Sequence, residues 1–231
     1  PEICLDPAIQ RHGAKIVKTT NKEIARKIGI NIAARTTCIK PEGTTSCILG
    51  TSSGIHPHHA KRYIRRVQAN KMEPIYQYFQ GINERACEES VWSANDSDAV
   101  ISFCIEVAPG SKTKNQINAL ELLEYVKSTQ KNCVTGGINE KSNVKPWLTH
   151  NVSNTINVKN DEWDEVEKFI YKNKNFFCGI SLLPITGDKD YPQAPFTAIY
   201  LPSEQVRQYG DGSLWVSGLI EVALDLWEDN L

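Results

Sequence analysis

Ile9, Ile16, Val17, Ile24 and Ile28 recur at the spacing that gathers side chains on one face of a helix. Residues 7–28 are therefore expected to be helical, with Gly29 as the stop. The period then changes. "TTCIK" at 36–40 is a short β-branched run ended by Pro41, and a Gly/Thr/Ser loop follows. A basic stretch, helical or extended, comes next, and "EPIYQYFQGINERA" at 73–86 reads as another helix. "AVISFCIEV" at 99–107 is continuously apolar over one strand length, the pattern of a strand buried on both faces of a parallel sheet. Ile117, Leu120, Leu123 and Val126 place a strong helix over 115–130.

Farther on, "NVSNTINV" at 151–158 alternates as a strand does. Asn160, Asp161 and Glu162 supply a cap and an acidic first turn for a helix carrying Trp163, Val166 and Ile170. "FFCGISLLP" at 176–184 is again strand-like, a Gly/Pro/Asp-rich loop spans 185–197, and Ser213 opens a last helix. Helices alternate with short apolar strands, without repeats or low-complexity linkers. The expected class is α/β, with one domain or a portion of one over residues 1–231.

Composition narrows the functional classes. The 231 residues carry a formal net charge of -1, so no global basic field favours duplex nucleic acid as a partner. No apolar run reaches the roughly 18–20 residues of a membrane span, and no signal peptide opens the chain. Cys4, Cys38, Cys47, Cys87, Cys104, Cys133 and Cys178 form no CxxC pair, which reads as reduced thiols in a cytoplasmic protein. The sequons at Asn95 and Asn151 are then chance matches. A first residue other than methionine suggests a piece of a longer polypeptide.

Candidate chemistry concentrates at 39–66. In "PEGTTS" (41–46), Gly43 permits close backbone approach, and Thr44, Thr45 and Ser46 add hydroxyl donors. Placed after a strand and before a helix, such a segment suits a phosphate, because N–H groups at a helix start bind anions. A polar loop that binds nothing has the same composition. The segment is not a P-loop, since no GK[ST] follows. His56, His58 and His59 could suggest a metal, but one short segment interrupted by Pro57 cannot aim all three at one ion. Hydrogen bonding within the loop accounts for them better, and no metal is expected. "KRYIRR" (61–66) reads as a solvated face, although Lys61 or Arg65 could complement substrate charge near a phosphate loop.

The order "KPEGTTS", "SSGIHPHHAKRYIRR", "WLTHNVSNTINV", "GISLLP", "GDKDYPQAPF" resembles the C-terminal part of the catalytic chain of adenosylcobalamin-dependent (class II) ribonucleotide reductases. The similarity runs from about Ile24 to the end, and the linked pair K-P-x-G-T and S-G-I-H-P is its most specific element. The resemblance implies a ten-stranded α/β barrel, of which this chain would be the later half. It implies adenosylcobalamin in the complete enzyme and a ribonucleoside di- or triphosphate as substrate. It further implies that Glu42, Gly43, Thr44, Thr45 and Ser46 contact the substrate's phosphates.

There are departures. The family's Asn-x-Cys-x-Glu motif, whose cysteine becomes a thiyl radical, does not occur in this sequence. Glu2 in "PEICL" is not that glutamate, because only one helix separates it from the phosphate loop, where the family has a long segment. No reducing cysteine pair is assignable. Glu42 puts a carboxylate beside phosphates, so it must bind through its backbone or point away. Two readings follow: part of a reductase completed by the remainder of its chain or a partner subunit, or a non-catalytic nucleotide-binding or regulatory fragment of a split enzyme.

Overall fold

A computed structural model describes residues 3–43, 45–185 and 191–199. In chain order its helices are α1 (Pro7–Ile28), α2 (Thr45–Leu49), α3 (Pro74–Ile82), α4 (Ala119–Thr129) and α5 (Trp163–Lys172). The strands are β1 (Arg62–Asn70), β2 (Cys87–Glu89), β3 (Asp98–Glu106), β4 (Ile156–Val158), β5 (Leu182–Pro184) and β6 (Phe196–Ile199). Residues 3–58 with 110–185 form one compact unit, and 59–109 with 191–199 form another. Among the described residues no helix is long and apolar enough to cross a membrane.

The first unit is a run of helices crossing between parallel extended segments. Helix α1 starts because Asp6 accepts the Ala8 and Ile9 N–H groups, both at 2.8 Å, ahead of Pro7. It ends at Gly29, whose φ of 73° is a left-handed cap. The segment after α1 makes a parallel bridge from Ile39 to Val152, and β4 pairs in parallel with β5. Parallel neighbours cannot be joined by a hairpin, so α4 carries the chain across between the first pair and α5 between the second. Beneath these helices lies a core of Leu122, Leu123, Val126, Val134, Val152, Ile156, Val158 and Val166.

Polar side chains hold the extended segments where backbone ladders are short. Gln130 is buried, donates to Thr149 Oγ1 and the His150 carbonyl, and accepts the Val152 N–H at 3.2 Å. Thr37 Oγ1 donates to the Cys133 carbonyl at 2.7 Å, and a Cβ at Gly137 would collide with that hydroxyl. The buried Asn154 amide donates to the carbonyls of Val152 and Gly179, both at 2.9 Å.

The second unit is a four-stranded antiparallel sheet in the order β2-β3-β1-β6. Its spine is β1 on β3, in register from Arg62↔Glu106 to Asn70↔Asp98, and β6 adds Arg65↔Phe196 on the other edge. Tyr76 of α3 packs with Ala99 and Ile101.

Several expectations are corrected. Residues 99–107 belong to an antiparallel sheet, and only Ala99, Val100 and Ile101 of that run are buried. Of the two readings left open for the basic stretch after the loop, the extended one is formed, as strand β1. Strand pairing at 36–40 is reduced to the Ile39 bridge, and 151–158 ladders only over Ile156–Val158. Residues 174–176 form a 3-10 turn, leaving Leu182–Pro184 as the strand of the 176–184 run. Phe196, expected in a loop, opens β6. The class is mixed α/β as expected, and the described residues form no closed barrel. The helix expected from Ser213 lies outside the described residues.

Burial separates two aliphatic sites sharply. Leu123 is fully buried whereas Ile16 on α1 is 53% exposed. Leu123→Ala should cost about 2–5 kcal/mol in urea or guanidinium unfolding, and Ile16→Ala less than about 0.5 kcal/mol. Equal losses at the two positions would contradict this core assignment.

Candidate functional site

The candidate site is built where the extended segment that bridges Val152 runs out. Pro41 stops it, Gly43 lies in a turn, and α2 begins at Thr45. The Ser46 N–H donates to the Glu42 carbonyl at 3.0 Å, closing the first turn of α2. Cys47 Sγ donates to the Gly43 carbonyl at 3.2 Å. Gly43 and Thr45 are exposed, Glu42 is half-buried and Ser46 is buried. A Cβ built on Gly43 meets no heavy atom within 4 Å, so its backbone faces open space. Thr44 is outside the described residues.

The charge problem at Glu42 is met locally. Lys40 Nζ lies 2.6 Å from Glu42 Oε1, and this hydrogen bond, with the carboxylate's charge, raises the lysine pKa above its ordinary value. Both side chains are largely in water, so the pair contributes little to stability. Its consequence is electrostatic: the carboxylate beside the turn is neutralised. Sequence reasoning missed Lys40, although residues two apart in an extended segment share a face and K-x-E carries that signal.

The second loop folds back on the first. Gly54, at φ 60°, sits so close to the chain that a Cβ would lie 3.1 Å from the Lys40 carbonyl oxygen. Any other residue there would be strained both by its backbone angle and by that contact. His56 Nδ1 is 2.9 Å from the Ser53 carbonyl. The His58 backbone pairs with Thr113 through His58 N–H to Lys112 O (3.0 Å) and Lys114 N–H to His58 O (2.8 Å). His59 belongs to the other unit, where it stacks on Phe196 at 5.4 Å and meets Tyr63 edge-on. Arg65 lies over the other partner of that stack, 4.4 Å from the Phe196 ring centre. The histidines thus serve loop and sheet packing, and they do not converge. Among the described residues no group of three His, Cys, Asp or Glu side chains is placed to hold an ion.

No disulfide joins the seven cysteines, and burial pushes the Cys87, Cys104 and Cys133 thiols above the ordinary range.

Residues 13–173 match the family described as ribonucleotide reductase, barrel domain. The chain belongs to this family. It is 26% identical over 187 residues to the adenosylcobalamin-dependent ribonucleoside-triphosphate reductase of Lactobacillus acidophilus, covering 78% of this chain and 23% of that one. The reductase of the same name from Lactobacillus delbrueckii subsp. bulgaricus is 25% identical over 183 residues, again covering 78% of this chain and 23% of its own. A crystal structure of a B12-dependent (class II) ribonucleotide reductase superimposes with a TM-score of 0.57 at 20% identity, over 85% of this chain and 26% of that one. This last likeness is one of fold. The chain spans about a quarter of the length of the relatives it matches.

Burial holds the His58 imidazole below its ordinary pKa, which gives a pH prediction. The unfolded chain then binds a proton that the folded chain resists, so stability should fall as pH drops from about 6.5 toward the folded value. Denaturant melts at pH 7.5 and pH 5 should show this loss, and His58→Gln should reduce it. An acid loss unchanged in His58→Gln would rule out this histidine as its source.

Proposed function

We propose that this chain is part of a ribonucleotide reductase that converts ribonucleotides to deoxyribonucleotides by radical chemistry, and that residues 42–46 hold the substrate's phosphates. The observation that carries the reading is one conjunction. The chain belongs to the reductase barrel family, and its Gly43 turn opens to solvent at the end of a parallel-paired segment, directly before α2. Ligands of α/β folds gather at the carboxyl ends of strands. The segment would make up the later part of a ten-stranded barrel, in a cytoplasmic enzyme of deoxyribonucleotide biosynthesis.

Each residue has a role in this reading. Gly43 lets phosphate oxygens approach the backbone, and Thr44 and Thr45 donate hydroxyl hydrogen bonds. Ser46, whose N–H is already given to Glu42 O and whose side chain is buried, shapes the turn and supplies at most its hydroxyl. Lys40 screens Glu42 and adds positive charge beside the anion. The substrate is a ribonucleoside di- or triphosphate, and the names of the relatives favour the triphosphate.

Adenosylcobalamin, the cofactor named for the relatives, would supply the radical in the complete enzyme. One cavity has side chains that do not suit it. The cavity of about 860 Å³ at Ile3–Asp6, Gly110, Lys112 and Tyr125 offers mainly apolar walls. Its Lys112 and Tyr125 side chains are both committed to Glu121 Oε1, at 2.7 and 2.6 Å. No step is therefore assigned to this chain's residues through the cofactor.

Two outcomes are expected. The 231-residue chain, lacking Asn-x-Cys-x-Glu, should form no deoxynucleotide when assayed with adenosylcobalamin, a dithiol and each ribonucleoside triphosphate. In the complete enzyme, a lost hydrogen bond to a charged group costs on the order of 1.5–3 kcal/mol, so Thr44→Ala or Thr45→Ala should raise KM about ten- to hundredfold. Gly43→Val should be worse, since its side chain would fill the approach. Folded variants at all three positions with wild-type KM and kcat would remove the phosphate assignment.

A further inference from the structure

Lys40 stands at the edge of the proposed phosphate turn, held there by the residue that precedes Gly43. Its Nζ lies 2.6 Å from Glu42 Oε1, with the two side chains 73% and 47% exposed. The backbone beneath the lysine is fixed. The Ser153 N–H donates to the Ile39 carbonyl at 3.2 Å, and Gly54 packs closely against the Lys40 carbonyl oxygen. The Glu42 backbone is fixed likewise, by the Ser46 N–H on its carbonyl. What can move at this corner are two side chains, and the lysine's flexible stem is the longer.

An ion pair open to water holds weakly, because solvent screens both charges. A phosphate offers the same ammonium more negative charge and several oxygens, to which its three N–H groups can donate. The other cations that the sequence offered for substrate charge, Lys61 and Arg65, belong to the other unit, where Arg65 is engaged by the Phe196 ring and the Pro195 carbonyl. A carboxylate at position 42 therefore opposes binding in two ways: it withholds the ammonium and it repels the anion.

We propose that Lys40 is the cation that binds the substrate's phosphates and that Glu42 competes with them for it, so that the pair sets how tightly the turn holds a polyphosphate. This deepens the phosphate reading of residues 42–46 and rests on it. On binding, the ammonium turns from Glu42 Oε1 to a phosphate oxygen, and the carboxylate passes to water. Lys40 is then a ligand in its own right, and neutralising Glu42 is the smaller part of its role.

The test titrates the complete enzyme with a ribonucleoside triphosphate and, as a nucleoside-free probe, with inorganic triphosphate, reading each Kd by calorimetry. Lys40→Met should weaken both about tenfold, as the loss of a hydrogen bond to a charged group does. Glu42→Gln, which keeps the shape and removes the charge, should tighten both about two- to fivefold. Both side chains are largely in water, so melting temperatures should hold. The double variant separates a ligand from a screen. As a ligand, Lys40 still costs about tenfold when replaced in the Glu42→Gln background; as a screen it costs nothing there, with no carboxylate left to neutralise. A costless Lys40→Met in that background, or one that weakens the nucleotide and spares inorganic triphosphate, would overturn the proposal. Thr45→Ala keeps the two readings apart. Weaker binding in Thr45→Ala with none in Lys40→Met removes the proposal and leaves the phosphate turn, whereas unchanged binding in Thr45→Ala, Gly43→Val and Lys40→Met alike removes both.

Discussion

The parallel register of Ile39 with Val152 is the constraint on which the first unit depends. A parallel pair forces the chain to travel the length of the sheet and return, and only a crossover element can do that while burying its apolar face. Helix α4 is that element, and its Leu123 and Val126 close over Val152 and Ile156. With the register fixed, Pro41 and Gly43 fall at the end of the segment and α2 starts just beyond it. The candidate site is thus a by-product of the crossover: the turn lies where it does because α4 holds the strand beneath it.

The pairing is short, and side chains make up the difference. The buried Gln130 amide takes the Val152 N–H that a longer ladder would have given to a neighbouring carbonyl. Buried amides of this kind are favourable only when satisfied, so Gln130 ties the end of α4 to one register of 149–152. Asn154 does the same between 152 and 179. These amides make the arrangement specific, while Leu123, Val126 and Ile156 make it stable.

Local signals were legible where they have local causes. Helix α1 runs over 7–28 as its period requires, because Asp6, Pro7 and Gly29 are caps that act within one turn. The turn at 41–46 and the histidines' loop bonding could be read in the same way, and the motif order led to the right family. What depends on distant partners could not. The apolar run at 99–107 fits a parallel or an antiparallel neighbour equally, and β1 and β2 decide for the latter. The ladder at 151–158 is cut short by Gln130, twenty residues and more away in sequence. The period places the aliphatic stripe of α1 on one face, but its exposure is a property of the assembled fold.

Hydrogen exchange in the complete enzyme, with and without a ribonucleoside triphosphate, tests the central claim directly. The account predicts that saturating substrate slows the amides of 42–46 and leaves the ladder of β1 with β3 unchanged. Unaltered exchange across 42–46 under demonstrable substrate binding would contradict it, and would move the phosphates elsewhere in the reductase.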